Sequence, residues 1–287
     1  MNEWESGLAA ATEYARKHAL AALLIERGGR DVLAEFGPKF DETAPHALYS
    51  GTKSFWGVAA LYAQSDGILS LDEPVAETIP SWREDPWKRR VTLRMLLQLI
   101  AGFGFGGLGS SVPPYERALA MELRTEPGTA FAYGGIQLQV FGAAFARKLE
   151  SQGLTPHEYL RERVLAPAGV EIAAWRVLRD GTQPLPTGAS LSARAWLQYG
   201  RFVLRERVAL AECFRGSAPN PRYGLGWWLG VSGAPPGLFY ASGSGGQGLY
   251  VVPSLDLVAV HFSDASSYKH DAFLKKLLGT IAARPRA

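Results

Sequence analysis

The 287-residue chain has a single cysteine, Cys213, and only three methionines and five histidines. One cysteine excludes an internal disulfide framework and a cysteine-rich zinc site. The histidines (His18, His46, His157, His261 and His270) show no metal-ligand spacing, so no metal site is expected. No uncharged apolar run reaches the ~18 residues of a membrane span. The first 29 residues carry Glu3, Glu5, Glu13, Arg16 and Lys17 within their apolar stretch, which does not fit a secretory signal peptide. The expected address is cytoplasmic, with no membrane partner. The net charge of +3 comes from dispersed Lys and Arg, too mild a surplus for a nucleic-acid partner.

What is present is an ordinary globular balance, 47% hydrophobic and 20% charged. Spacing of three or four between Trp4, Leu8, Ala11, Ala15 and Ala19 predicts a helix over 3–19. Two apolar runs joined by Gly28-Gly29 predict a hairpin. Helices are expected from Tyr49 to Gly67 and over 91–100, 114–124, 135–150, 156–165, 189–204 and 271–283. Thr92 stands near the start of the second of these, and Ser190 or Ser192 is the expected cap of the sixth. From Tyr223 to Ser263 the aromatic and β-branched runs predict antiparallel strands. With strands at both ends and helices between, the chain reads as one α/β (α+β) domain. Its α/β lobe covers about 1–48 and 205–287, and an inserted helical lobe covers about 49–204.

Generic motifs add little. G-x-G-x-x-G occurs three times, beginning at Gly102, Gly104 and Gly243, and never links a strand directly to a helix with an acidic residue ~20 positions on. No G-x-S-x-G elbow is present. S-x-x-K occurs twice, as Ser50–Lys53 and Ser266–Lys269. On a helix, residues i and i+3 share a face, so a serine hydroxyl and a lysine amine come within hydrogen-bond reach. Lysine acts as a base only when neutral, which needs burial or a nearby cation. Ser50–Lys53 opens an apolar helix and meets that demand. Ser266–Lys269 lies in a polar stretch. The plain alternative for Ser50 is a helix cap.

The segments around Ser50 resemble the serine β-lactamase and penicillin-binding-protein superfamily, on the side of class C β-lactamases and β-lactamase-fold carboxylesterases. YSGTKSFWGVAAL is similar to its first motif. SDGILSLDEPVAETIPSW and VTLRMLLQLIAGFG are similar to two following segments. FAYGGIQLQVFG is similar to its second motif, and ASGSGGQGLYVVPSLDLVAV to its third. The resemblance spans about residues 22–285. It implies a β-lactamase/transpeptidase-like fold, with an antiparallel sheet flanked by helices and an inserted all-helical lobe. It implies a nucleophile at Ser50, a base at Lys53, a proton-relaying phenol of lowered pKa at Tyr133, and an oxyanion hole from the Ser50 and Ser244 amides.

Three departures stand out. The third-motif triplet Ala241-Ser242-Gly243 lacks the family's leading Lys or His. Gly135 replaces the second-motif Asn. The helix before Gly102 ends Leu99-Ile100-Ala101 without the family's His and Ser. The lost cation and lost amide favour a neutral ester over a β-lactam or a cell-wall peptide. Gly135, Ala241, Ser242 and Gly243 are the expected substrate-contact positions. Phe103 and Phe105, in the glycine-rich loop, are candidates for an apolar acyl-binding wall. The expected function is a small-ester hydrolase, a reading that implies no metal or organic cofactor. The alternatives are an amidase, D-aminopeptidase or weak β-lactamase, or a binding or sensor module of the same fold without catalysis.

Overall fold

A computed structural model of the chain describes residues 3–279. Its centre is a six-stranded sheet in which every neighbouring pair is antiparallel. In chain order the strands are β1 (Leu20–Arg27), β2 (Arg30–Phe36), β6 (Trp228–Leu229), β7 (Phe239–Gly243), β8 (Gln247–Val252) and β9 (Leu257–Ser263). In space they run β2-β1-β9-β8-β7-β6. The two ends of the chain therefore share one sheet through the β1–β9 pairing, as the strand-helix-strand pattern requires. Gly28 and Gly29 both have positive φ (59° and 73°), the backbone of a tight two-residue hairpin turn.

Both faces of the sheet are covered, which is why all seven residues of β9 are buried instead of alternating. On one face, α1 (Glu3–Arg16) and the C-terminal helix α9 (His270–Leu278) pack Ala11, Ala15, Phe273 and Leu277 onto Leu23, Ile25, Tyr250 and Ala259. On the other lies the main core, which the remaining helices share: α2 (Ser54–Ser65), α3 (Val75–Thr78), α4 (Leu93–Leu97), α5 (Tyr115–Ala120), α6 (Ile136–Leu149), α7 (Pro156–Leu160) and α8 (Ala193–Arg205). α8 lies on the helical side of the sequence division at residue 205, yet it packs on the sheet: Trp196 stacks on Phe262 of β9, with centroids 5.3 Å apart. A small second sheet, ordered β3-β5-β4, is built from β3 (Pro45–Ala47), β4 (Ala174–Trp175) and β5 (Ala189–Ser192).

Several sequence expectations are corrected in extent. Residues 189–192 form β5 before the helix begins, and Ser192 caps α8 by accepting from the Ala195 amide. α1 stops at Arg16, and α5 stops at Ala120. α7 passes at Arg161 into a wide π turn, Arg161–Leu165. The run from Tyr223 to Val231 pairs only at Trp228–Leu229 within the sheet. Around Gly226 its backbone lies against the Lys53 carbonyl, where even a Cβ would overlap, and a segment held that way is not free to pair. The last helical positions expected, 280–283, lie outside the described residues. Among the described residues no helix is long and apolar enough to cross a membrane.

Candidate active site

Ser50 and Lys53 lie on a 3₁₀ turn, Tyr49–Lys53, that leads directly into α2. A 3₁₀ turn has three residues per turn, so side chains at i and i+3 eclipse. That alignment brings Lys53 Nζ to 2.8 Å from Ser50 Oγ, as donor to the hydroxyl. β3 delivers the chain to this turn, and the Leu48 amide donates to Ala189 O of β5 at 2.9 Å. Tyr49 takes a left-handed φ of 47°, unusual for a tyrosine, at the corner where strand becomes turn. Ser50 is half-buried, and its side chain does not cap the helix.

Lys53 is only 1% exposed. Nζ donates to Pro186 O at 3.0 Å and stands 5.0 Å from the centre of the Tyr133 ring. Burial lowers its pKa from the ordinary lysine value to about 7, because the ammonium loses its water. Half the population is then a neutral amine at neutral pH, which suits a base. The second Ser-x-x-Lys pair, Ser266 and Lys269, is solvent-exposed.

Tyr133 reaches the same place from the segment before α6. Gln137, at the second residue of α6, clasps that segment: its Nε2 donates to Ala132 O at 3.0 Å, and its Oε1 accepts from the Ala101 amide at 2.8 Å. The phenol has Ser50 and the Trp228 side chain as hydrogen-bonding neighbours. The Trp228 ring stacks on it at 5.6 Å and 25°. The expected fall in its pKa does not occur. Burial raises it, outweighing the two hydrogen bonds, and Ala241 supplies no cation to reverse the effect. The phenol is therefore protonated at neutral pH.

The third-motif positions divide by strand alternation. Ala241 faces the main core, 1% exposed. Ser242 points the other way, into a cleft of about 760 Å³ that Trp228, Tyr240 and Arg222 also line. Gly243 lies against Leu48 O, where a Cβ would overlap the carbonyl, so β7 abuts the nucleophile turn backbone to backbone. Ser244 is the first residue past β7. Its carbonyl accepts from Gln247 Nε2 at 3.1 Å, and the same amide nitrogen donates to Ser263 O. Gln247 thereby fixes the peptide next to the Ser244 N–H. Ser50 is in the first turn of a 3₁₀ helix, where amides lack an intrahelical acceptor. A second cavity, of about 420 Å³, is lined by Tyr49, Gln247 and His46.

The remaining expected contacts are placed differently. Gly135 is buried beneath the 104–107 loop: its amide donates to Gly106 O at 2.9 Å, and a Cβ would overlap Gly107 O. The loop occupies the space an asparagine side chain would need. Phe103 is 2% exposed and packs in the core beside Trp82, so it lines no cleft. Phe105, two residues on, is 79% exposed. Sequence reasoning missed the Pro186 carbonyl, the Gln137 and Gln247 clasps and the Trp228 contact. Trp228 alone carries a signal, as half of the Trp227-Trp228 pair in the aromatic run that begins at Tyr223. Among the described residues, no group of three or more His, Cys, Asp or Glu stands close enough to hold a metal ion.

The family model described as Beta-lactamase matches residues 8–283. A β-lactamase of Yersinia enterocolitica is 28% identical over 139 residues, 46% of this chain and 34% of the relative. A lovastatin esterase of Penicillium rubens is 28% identical over 177 residues, 50% of this chain and 42% of the relative. The chain thus spans less than half the length of the curated relatives it matches. Among solved structures, EstCE1, a hydrolase with promiscuous acyltransferase activity, superposes with a TM-score of 0.77 at 17% identity. That match covers 96% of this chain and 99% of the other.

Proposed function

Because this chain belongs to the beta-lactamase family, we propose that it is a serine hydrolase that forms an acyl-enzyme on Ser50 and acts on small carboxylic esters. One observation carries the reading. A half-buried serine hydroxyl lies 2.8 Å from a lysine that is fully buried and depressed to about 7. A structural lysine has little reason to be held neutral in a core, whereas a base needs it.

The neutral Lys53 amine takes the Ser50 proton as Oγ attacks the ester carbonyl. The Ser50 and Ser244 amides face the oxygen that becomes negative, and two such donors supply several kcal/mol of transition-state stabilisation (~3 each). Tyr133, protonated, gives its proton to the departing alkoxide, and the proton held by Lys53 replaces it. Water then attacks the acyl carbonyl, Lys53 takes its proton, and Ser50 leaves with that proton restored. The sum is ester plus water to acid plus alcohol.

Ala241 and Gly135 support an ester over a β-lactam. The first offers no cation to a substrate carboxylate, and the second has its side-chain space filled by backbone. Similarity over half the chain to a lovastatin esterase points the same way. The test is a panel of short-chain p-nitrophenyl esters, the matching anilides and a cephalosporin, with wild type and Ser50→Ala. Ester turnover that falls about 10³-fold or more in the variant is expected. Equal turnover by the variant overturns the mechanism, and faster hydrolysis of the cephalosporin overturns the ester preference.

A further inference from the structure

Three consecutive carbonyls are held by three side chains. Trp175 Nε1 donates to Pro184 O at 2.9 Å, Trp56 Nε1 to Leu185 O at 2.6 Å, and Lys53 Nζ to Pro186 O at 3.0 Å. Within the same strap, the Leu185 amide donates to Gln139 Oε1 at 2.9 Å. Two of its residues are prolines with fixed φ. A strap so stiff and so tied moves as a piece. A shift at Gln183 or Trp175 is therefore passed to the base of the proposed catalytic site.

At the far end of the strap is a cavity of about 550 Å³ that the acyl-transfer chemistry does not use. Leu160, Leu165, Ile172 and Trp175 give it apolar walls, and Gln183 lines it from the strap. One wall is the π turn Arg161–Leu165, a rare helical geometry that occurs frequently at functional sites. The His157 ring, also in the wall, stands edge-on to Trp56 (5.0 Å) and Trp175 (4.5 Å), and burial keeps it neutral with a pKa of about 3. Of the charged side chains around the cavity, Glu158 accepts from the Thr155 amide and hydroxyl, Arg161 pairs with Glu162, and Glu171 is exposed to solvent. The side-chain amide of Gln183 makes no hydrogen bond to protein among the described residues. It offers a donor and an acceptor at the end of an apolar slot.

We propose that this cavity is an effector site for a small neutral molecule with an apolar ring and one hydroxyl, and that its occupancy is coupled through the 183–186 strap to Lys53. The hydroxyl pairs with the Gln183 amide, and the ring lies against Trp175. Occupancy shifts the strap as a piece and presses Pro186 O closer onto Lys53 Nζ. A carbonyl accepts more strongly from an ammonium than from an amine, so occupancy favours the protonated lysine. Apart from that carbonyl, Ser50 Oγ and the Tyr133 ring are the groups against Nζ. The binding itself needs nothing from the serine-hydrolase reading, while the regulatory meaning of the coupling rests on it.

The test uses 2-naphthol as the probe and the full chain. Binding is followed by calorimetry with wild type and with Ile172→Trp, which fills the cavity. Lys53 is titrated by NMR of ¹³Cε-labelled lysine, assigned with Lys53→Arg, with and without the probe. The expected result is binding at least about tenfold weaker in Ile172→Trp, and a Lys53 titration moved up by about half a pH unit, a roughly threefold coupling. Binding that is absent, or unchanged in Ile172→Trp, overturns the site. Binding with a Lys53 titration that stays put or moves down overturns the coupling. None of these readouts uses ester turnover, so a failure here is separate from a failure of the hydrolase reading.

Discussion

Replacing Lys53 with methionine should remove catalysis and, in acid, make the fold more stable. Lys53 is buried with a pKa of about 7 in the folded chain, against an ordinary value of 10.5. That drop corresponds to about 5 kcal/mol of cost for folding with the lysine protonated. Below pH 7 both folded and unfolded chains hold the proton, and the full cost applies. Between pH 7 and 10.5 the unfolded chain holds one more proton than the folded chain, so wild-type stability rises by about 1.4 kcal/mol per pH unit. Above 10.5 neither state holds it and the cost is gone. Methionine has a similar unbranched reach and no such cost. It leaves Pro186 O without its donor, which takes back about 1–3 kcal/mol. Lys53→Met should therefore be more stable than wild type by about 3 kcal/mol at pH 6, and about equal to it at pH 9. Urea unfolding of both proteins at the two pH values measures this. The comparison cancels every other titrating group, since both chains share them. A stability difference that is the same at pH 6 and pH 9, or that favours wild type more at pH 6, refutes the neutral buried lysine.

The same lysine sets the acid limb of the reaction: kcat/KM for a p-nitrophenyl ester should rise with pH, reach half its maximum near pH 7, and be about tenfold down at pH 6. Gly135→Asn restores a side chain that the related families carry, yet here it meets Gly107 O. It should lower stability by about 1–3 kcal/mol and yield no hydrolysis of a chromogenic cephalosporin, read by thermal melting and absorbance. Phe103→Ala should cost about 3–5 kcal/mol in chemical denaturation. Phe105→Ala should cost less than about 0.5 kcal/mol, because the first ring is buried and the second is exposed.

The legibility of this chain follows physical range. Ser50 and Lys53 are three residues apart, so their meeting is a local matter that any tight helical turn delivers. The Gly28-Gly29 hairpin and the apolar strands at both ends are equally local, and the one-sheet architecture follows from them. The Pro186 carbonyl that holds Lys53 comes from 133 residues away, and no spacing announces it. Phe103 and Phe105 sit in a glycine-rich loop with no periodicity, so nothing in sequence says which ring turns inward. The direction of the Tyr133 shift is hidden from the sequence for a related reason. The loss of a cation at Ala241 was visible, but the burial that then dominates is a property of packing. The shortened strand at Trp228–Leu229 yields to tertiary contact with the Lys53 turn.

The central claim is that Ser50 is the nucleophile, activated by Lys53. Intact-protein mass spectrometry after treatment with a fluorophosphonate, followed by peptide mapping, tests it most directly. The account predicts a single adduct on the peptide containing Ser50, formed faster as pH rises through 7 and absent from Ser50→Ala. A wild-type protein that takes no adduct, or takes it on another residue, contradicts the account.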